Sequence, residues 1–557
     1  MTPSTEPWWK QTVVYQIYPR SFADADGDGI GDLAGVIDRL DYLADLGVET
    51  LWLSPFYPSP QADFGYDISD YRGIAPEYGD MATFERLVDE THRRGLRLVL
   101  DLVLNHTSDQ HPWFVESRSS RDNPKRDWYV WRDGVGGGAP PNNWFNMIGG
   151  RGWHHDPHTD QWYWAQFLPF QPDLNYRNPE VRAEMFDVLR FWMAKGVDGF
   201  RLDIVNALFE DPEIRDNPFA WKLLPSAEDP GMLFRSTENT LNHPDTMAFM
   251  RELRRAVDDF DGRDRFLVGE VIAPLEKARE SCGAAGDGLH LVFLFESLTA
   301  SLDAASVRAL LERYEQLFAD PLLPTWVFGN HDRRRRISRL GGSLEKAKLN
   351  AALQLTARGV PFLYNGEEVG IEQHHLPVRD SLDAVVHRFR SWPQPLFDLV
   401  CTLAGESLNR DECRTPMQWS DAANAGFCPP GATPWLPLAP SFRERNVATQ
   451  QGDPESLWHC YRRLLAARRE CAALRSGSQR LLPAVDLPAS VVGFSRFAPE
   501  GTSPREARVL LNCGADAVDV RVTDGAAPWV STRARVPEVR EGRVRLRPWE
   551  GLILTRD

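Results

Sequence analysis

The stretch Leu96-Arg97-Leu98-Val99-Leu100-Asp101-Leu102-Val103-Leu104-Asn105-His106 decides the fold. From Leu96 to Leu104 only Arg97 and Asp101 are polar. A strand apolar on both faces belongs in a parallel sheet covered by helices, not in a half-solvated antiparallel one. The run then ends on Asn105 and His106, polar groups at the carboxyl end of a buried strand. Just before it, Phe84 to Arg94 reads as a helix closed by Gly95. The same unit recurs on both sides. Val13 to Tyr18 is a β-branched and aromatic run, a strand. Leu33, Val36, Ile37, Leu40, Leu43 and Leu46 form one helical stripe ended by Gly47. Thr50 to Ser54 is a second strand. Downstream, Pro179 to Lys195 is an amphipathic helix ending at Gly196. Strands follow at Gly199–Val205, Arg265–Val271, Leu289–Phe295, Thr325–Phe328 and Val360–Tyr364. Repeated strand–helix units predict an α/β protein with a parallel sheet. Eight of them predict a (β/α)₈ TIM barrel, with an open doubly wound sheet as the competing layout.

Two stretches interrupt the rhythm. Residues 107–177 are rich in Trp, Pro, Gly, Asn and His and show no clean helical period. That is too long for an ordinary loop, so an inserted subdomain is expected after strand three. Residues 371–445 read as a second irregular insertion. Beyond Leu482, short β-branched runs punctuated by Gly and Asp predict a C-terminal all-β sandwich domain. The expected division is a barrel over 1–106 and 178–478, an insert over 107–177 and a β domain over 479–557.

Composition narrows the partners. The 557 residues exceed one ordinary core, and 42% hydrophobic with 25% charged residues is the balance of a soluble globular protein. A net charge of −16 argues against nucleic acid and against a polybasic membrane surface. No run approaches the ~18 apolar residues of a membrane span. Met1 to Tyr18 lacks the basic-then-apolar order of a signal peptide. The seven cysteines are odd in number, come late and lack a C-x-x-C pair, which points to a reducing cytoplasm. His154, His155 and His158 lack acidic partners, so no zinc site is expected. The oligomeric state is left open.

Barrel enzymes carry their chemistry at the carboxyl ends of the strands. There this chain places Asp101 to His106, Gly199-Phe200-Arg201-Leu202-Asp203, Gly269-Glu270 and Asn330-His331-Asp332. A lone Asp at a strand end usually caps the next helix; several carboxylates, two histidines and an arginine converging on one mouth make a site.

These four segments resemble the four signature regions of the α-amylase superfamily, glycoside hydrolase family 13, in its order and spacing. Gln171-Pro172-Asp173-Leu174-Asn175 and Trp8-Trp9-Lys10 through Phe22 resemble its oligo-1,6-glucosidase and α-glucosidase branch. The resemblance implies that Asp203 is the nucleophile, Glu270 the acid/base and Asp332 the third carboxylate. His106 and His331 match hydroxyl-binding histidines, and Arg201 would keep Asp203 ionised. Asp203 and Asp332 would raise the pKa of Glu270 by like charge. The segment Asp63-Phe64-Gly65-Tyr66-Asp67 resembles the sugar-end motif: Tyr66 would stack on the terminal glucose and Asp63 would pair with Arg410 to close the pocket. Phe167 would line its wall, and Arg335 matches a family arginine within the run Arg333–Arg336.

A metal site is also expected. Asp24, Asp26, Asp28 and Asp32 put oxygen donors at positions 1, 3, 5 and 9 of an EF-hand-like loop, with the Ile30 carbonyl at position 7. Position 12 is Gly35 rather than Glu, so the loop resembles instead the structural Ca²⁺ loop of the same branch. The function implied is an exo-acting retaining α-glucosidase on short α-glucosides with transglucosylation beside it. Trehalose synthase or another glucosyl-transferring relative is the alternative, and an inactive sugar-binding protein the remote one. Linkage preference stays open, because Ile204 follows the nucleophile where the branch usually has Val, Ala or Thr.

Overall fold

The computed structural model describes residues 6–222, 231, 233–522 and 525–556. Eight strands form the central sheet: β1 (Val14–Ile17), β2 (Thr50–Leu53), β3 (Arg97–Val103), β4 (Gly199–Asp203), β5 (Phe266–Gly269), β6 (Leu291–Val292), β7 (Thr325–Val327) and β8 (Val360–Tyr364). Their order is β7-β8-β1-β2-β3-β4-β5-β6, and every pairing is parallel. That cyclic order, with β8 against β1, makes a barrel and excludes the open doubly wound sheet. The seam lies between β6 and β7. There Thr325 Oγ1 donates to the Val292 carbonyl at 2.8 Å and Ser297 Oγ to the Val327 carbonyl at 2.7 Å, so hydroxyls take the place of a ladder.

The barrel interior is packed, as side-chain layers require. Val14, Trp52, Val99, Val268, Leu291, Phe293, Val327 and Phe362 form one buried cluster inside it. The outer helices follow the predicted periods with one correction. The stripe from Leu33 to Leu46 is two helices, Leu33–Asp38 and Leu40–Leu46. Arg39 leaves helical geometry between them (φ −106°, ψ 5°), and its guanidinium lies over the Trp419 ring at 4.3 Å. Gly47 ends the pair at φ +101°, a conformation that favours glycine.

Residues 131–164 hold a three-stranded antiparallel sheet, Trp131–Arg132, Trp153–Asp156 and Gln161–Trp164, over a small core of Val130, Trp144, Trp153 and Trp164. A helix at Pro112–Ser119 precedes it, unforeseen because Trp113, Phe114 and Val115 are consecutive and carry no 3.6-residue period. Short 3₁₀ turns and one helix, Gln394–Ala404, occupy the second insertion. At the C-terminus, a five-stranded and a three-stranded antiparallel sheet share a core of Val491, Leu510, Val520, Val544, Leu546, Leu552 and Leu554. The strand Ser478–Leu481 already belongs to the larger sheet, so a boundary at 479 falls inside it.

Candidate active site

The barrel's mouth is organised by one buried cation. Arg201 on β4 is fully buried and sits over Trp52 and Phe293 at 5.3 and 6.0 Å. Its Nη1 donates to Asp101 and to Asp203, both at 2.7 Å, and its Nη2 donates to Glu270. Asp101 on β3 is the register partner of Arg201, and Asp203 lies two residues on from Arg201 along the same face. Glu270 follows the end of β5, its amide held by the Leu202 carbonyl at 2.9 Å.

Three carboxyls around one guanidinium in a poorly solvated place cannot all ionise cheaply. Burial, opposed by Arg201 and helped by Asp203, Asp332 and Asp101, pushes Glu270 up to about 8. Burial likewise pushes Asp101 up to about 7 against the pull of Arg201. Desolvation is therefore the larger cause for Glu270, and the like charges the smaller one, the reverse of the emphasis expected from sequence. Arg201 also bonds Glu270 itself, so its effect is not confined to Asp203.

Asp332 follows the seventh strand's end and is the most open carboxylate, its side chain 27% exposed against 10% for Asp203 and 9% for Glu270. Arg414 donates to it at 2.8 Å and Arg410 at 3.4 Å. Burial opposes its ionisation, but His331, Arg414, Arg410 and Arg201 hold its carboxyl well below the usual range. Burial also pushes His331 down to about 3, so the ring is uncharged at neutral pH and the guanidiniums carry the effect.

A chain of hydrogen bonds fixes the histidine. Gln16 on β1 donates its side-chain amide to His331 Nδ1 at 2.8 Å. His331 Nε2 therefore carries the proton and meets Tyr66 Oη at 2.7 Å. Tyr66 donates in turn to Asp101 at 3.1 Å. The Tyr66 and His331 rings lie parallel within 2°, centroids 5.3 Å apart, as an in-line hydrogen bond between their edges requires. His106 is buried, bonded to Asn105 and to the Tyr66 carbonyl, and packs against Phe167 at 5.3 Å. Phe167 joins Ile204, Leu241, Met147 and Ile272 in a small apolar cluster beside the end of β4.

The predicted Asp63–Arg410 pair is present and has further partners. Arg410 donates to Asp63 at 2.6 Å, and Gln171 donates to the other Asp63 oxygen at 2.9 Å. Arg410 is itself gripped by Asp383, through Nη2 at 2.7 Å and Nε at 3.0 Å. The sequence reading missed Asp383, which sits in irregular chain without a motif. It also missed Asp101, Arg414 and Gln16 as site members. Arg335 lies outside this group, stacked on Tyr364 and bonded to the Asn365 carbonyl at 2.6 Å.

In the acidic loop, Asp24, Asp26 and Asp28 bring carboxylate oxygens within 4.8 Å of one another. Asp32 is not in that group. Its oxygens accept from the Gly35, Ala25 and Asp26 amides and cap the helix Leu33–Asp38.

Fold and site together define a barrel enzyme with a carboxylate centre at the strand ends. The chain belongs to the α-amylase family: the model described as "Alpha amylase, catalytic domain" matches residues 16–477. A protein named "Probable alpha-glucosidase" from Rhizobium meliloti (strain 1021) is 41% identical over 88% of this chain and 87% of its own length. The oligo-1,6-glucosidase of Parageobacillus thermoglucosidasius is 38% identical over 85% and 86%. Among solved structures, an α-glucosyl transfer enzyme superposes with TM-score 0.88 at 37% identity, covering 99% of this chain and 100% of that one. The trehalulose synthase of Pseudomonas mesoacidophila MX-45 gives 0.87 at 35% with the same coverage.

Proposed function

We propose that this enzyme is an exo-acting, retaining α-glucosidase that releases terminal glucose from short α-glucosides of the maltose or isomaltose type. The carrying observation is the single guanidinium of Arg201 bonded to both Asp203 and Glu270. A retaining enzyme needs its two carboxyls about 5–5.5 Å apart rather than the ~6.5–9.5 Å of inverting enzymes, and sharing one guanidinium supports that close placement. Asp203 attacks the anomeric carbon while the glycosidic C–O bond breaks and Glu270 gives its proton to the leaving oxygen. Water then attacks the same carbon, Glu270 takes back a proton, and the Asp203 ester is released, so configuration is retained. Asp332, His106 and His331 line the sugar site. The Asp63–Arg410 pair, braced by Gln171 and Asp383, ends the pocket and supports exo action.

A glucosyl-transferring activity is the second reading, favoured by the likeness to the α-glucosyl transfer enzyme and to trehalulose synthase. Products from maltose separate the two. Mainly free α-glucose supports hydrolysis; mainly trehalose or another disaccharide overturns it. No turnover of p-nitrophenyl α-glucoside would favour the sugar-binding alternative over both. A chain-length series checks the closed end, since rates rising steeply from disaccharide to polymer contradict it.

The acidic loop fits a structural Ca²⁺. Among the described residues no ion pair reaches Asp24, Asp26 or Asp28, so three crowded carboxylates share no counter-charge. Hard oxygen donors supplied by protein suit calcium better than magnesium. Chelation by EDTA is expected to lower Tm and added Ca²⁺ to restore it; an unchanged Tm sinks the proposal. The seven free thiols, six of them buried, support a reducing, cytoplasmic setting.

A further inference from the structure

The three-stranded sheet of the C-terminal domain carries charge that the sugar chemistry does not use. Its strands are Val518–Arg521, Arg543–Leu546 and Val539–Arg540, with Arg543–Leu546 in the middle. One face is core: Val520, Val544 and Leu546 are buried. Side chains alternate along a strand, so Asp519, Arg521, Arg543 and Arg545 face outward, and all four are exposed. Register places Arg521 directly opposite Arg543 on one side and Arg540 opposite it on the other. Three guanidinium side chains thus form one row across the sheet, on strands ~4.8 Å apart. Like charges placed directly opposite destabilise a sheet. The next row is ordinary by comparison, with Asp519 opposite Arg545 and their charged ends 3.7 Å apart.

Arg540 and Arg543 of that row line a cavity of about 560 Å³ together with Arg535, Arg545 and Arg547. Four acids also line it, but they leave the row uncompensated. Glu538 is shared between Arg540 at 3.2 Å and Arg535 at 3.8 Å. Asp519 is taken by Arg545. Glu550 is buried, and its carboxylate accepts from the Ser531 hydroxyl at 2.6 Å and the Arg547 amide at 2.7 Å. Glu541 lies exposed in the turn between the two strands that carry Arg540 and Arg543. Among the described residues these three ion pairs are the cavity's own, and none includes Arg543 or Arg547. A cationic hollow of this kind stands out on a chain of net charge −16.

We infer that this cavity binds a small ligand bearing several phosphate groups, held by the arginine row of the C-terminal sheet. Every cation lining it is arginine rather than lysine. The guanidinium is a planar fork that donates two parallel hydrogen bonds to phosphate oxygens, and it sheds water more readily than an ammonium. Neighbours across the strands are ~4.8 Å apart and outward residues along one strand ~6.7 Å apart, so separate arginines meet separate phosphates of one ligand. The volume falls within the ~300–1,000 Å³ usual for small-molecule sites. The ligand supplies the negative charge that the row lacks, so binding relieves the repulsion within it. Every residue lining the cavity belongs to the C-terminal domain, outside the sugar pocket, so the site is independent of the glucosidase reading.

Calorimetric titration of the full chain with inorganic triphosphate at low salt is the test. Saturable binding is expected, about tenfold or more tighter than for orthophosphate and weakening as salt rises. Arg543→Thr removes the centre of the row while keeping a β-branched residue on the strand, and should cost about tenfold in triphosphate affinity. Arg263→Ala, an exposed arginine between a barrel helix and β5, should leave that affinity unchanged. Thermal unfolding gives the second readout: triphosphate raises the wild-type Tm more than that of Arg543→Thr. Triphosphate also chelates Ca²⁺, which acts on both proteins alike, so the difference between them is what counts. No saturable binding, equal affinity for orthophosphate and triphosphate, or equal triphosphate affinity in wild type and Arg543→Thr would each overturn the inference. Displacement of triphosphate by a DNA oligonucleotide at equal phosphate concentration would also overturn it, since the face would then be reading a polymer.

Discussion

Glu270 shows how one residue acquires its chemistry. Its proton is held mainly because the carboxyl is buried, and Arg201 only partly offsets that. The sign is that of a raised group: the acid form persists up to about 8 and is lost above it. Activity is therefore expected to fall on the alkaline side as pH passes that value. Glu270→Gln should lower kcat/KM on maltose by about 10²–10⁴-fold, the range for losing an acid/base group, while substrates with very good leaving groups still glycosylate Asp203. Near-normal maltose hydrolysis by that variant would mean another group donates the proton. Ile204 next to Asp203 poses a separate question. It is a β-branched residue at φ +35°, in the left-handed region that such side chains rarely occupy. Strain of this kind persists where surrounding packing enforces it, here by Leu241, Met147 and Phe167. Ile204→Val trims one methylene from the pocket wall at a stability change of about 0.5–1.5 kcal/mol. The expected result is a higher isomaltose-to-maltose ratio of kcat/KM; an unchanged ratio would show that Ile204 does not face the substrate.

At the scale of elements, the site is a meeting of strand ends with two insertions. Asp63, Gln171, Asp383 and Arg410 come from four separate segments and are joined by hydrogen bonds of 2.6 to 3.0 Å. Asp383 has no exposure, and it binds the Arg410 backbone amide as well as the guanidinium. Asp383→Ala should loosen Arg410 and raise KM for maltose about tenfold, some 1.4 kcal/mol of binding, with kcat changed less. Equal KM values would leave Asp383 a purely structural acid. The same comparison explains what sequence could reveal. All eight strands were legible because buried parallel strands are nearly continuous apolar runs. Asp203, Glu270 and Asp332 were legible because charge at such strand ends is rare. Asp101 was legible in principle: Val99 points into the barrel, so Asp101, two residues on, shares that face. Asp383 was not, since irregular chain carries no period that says where a side chain points. The break at Arg39 escaped for a related reason: its cause is the Trp419 ring, hundreds of residues away.

For the whole molecule, the buried acids set a direction for stability against pH. Asp67 is raised by burial to about 6, Asp101, Glu210 and Glu367 to about 7 and Glu270 to about 8. A carboxyl raised in the folded state binds its proton more tightly there than when unfolded. Its contribution is complete below the ordinary carboxylate pKa of about 4 and is lost as pH rises through the folded value. Asp332 and Asp383 are shifted the other way, and their contribution is lost only as pH falls below the ordinary carboxylate range. Between pH 5 and 8 the raised group therefore decides the slope. The net charge of −16 adds to it, since self-repulsion grows as the remaining acids ionise. Tm at low salt is expected to be higher at pH 5.5 than at pH 8.5. Replacing Glu367, which accepts from Tyr461 at 3.2 Å and from the Tyr364 amide at 3.3 Å rather than from the Arg201 centre, by Gln should flatten part of that slope without altering the kcat profile. A Tm that is level or rises from pH 5.5 to 8.5 would mean that these acids lose their protons before the fold feels their burial.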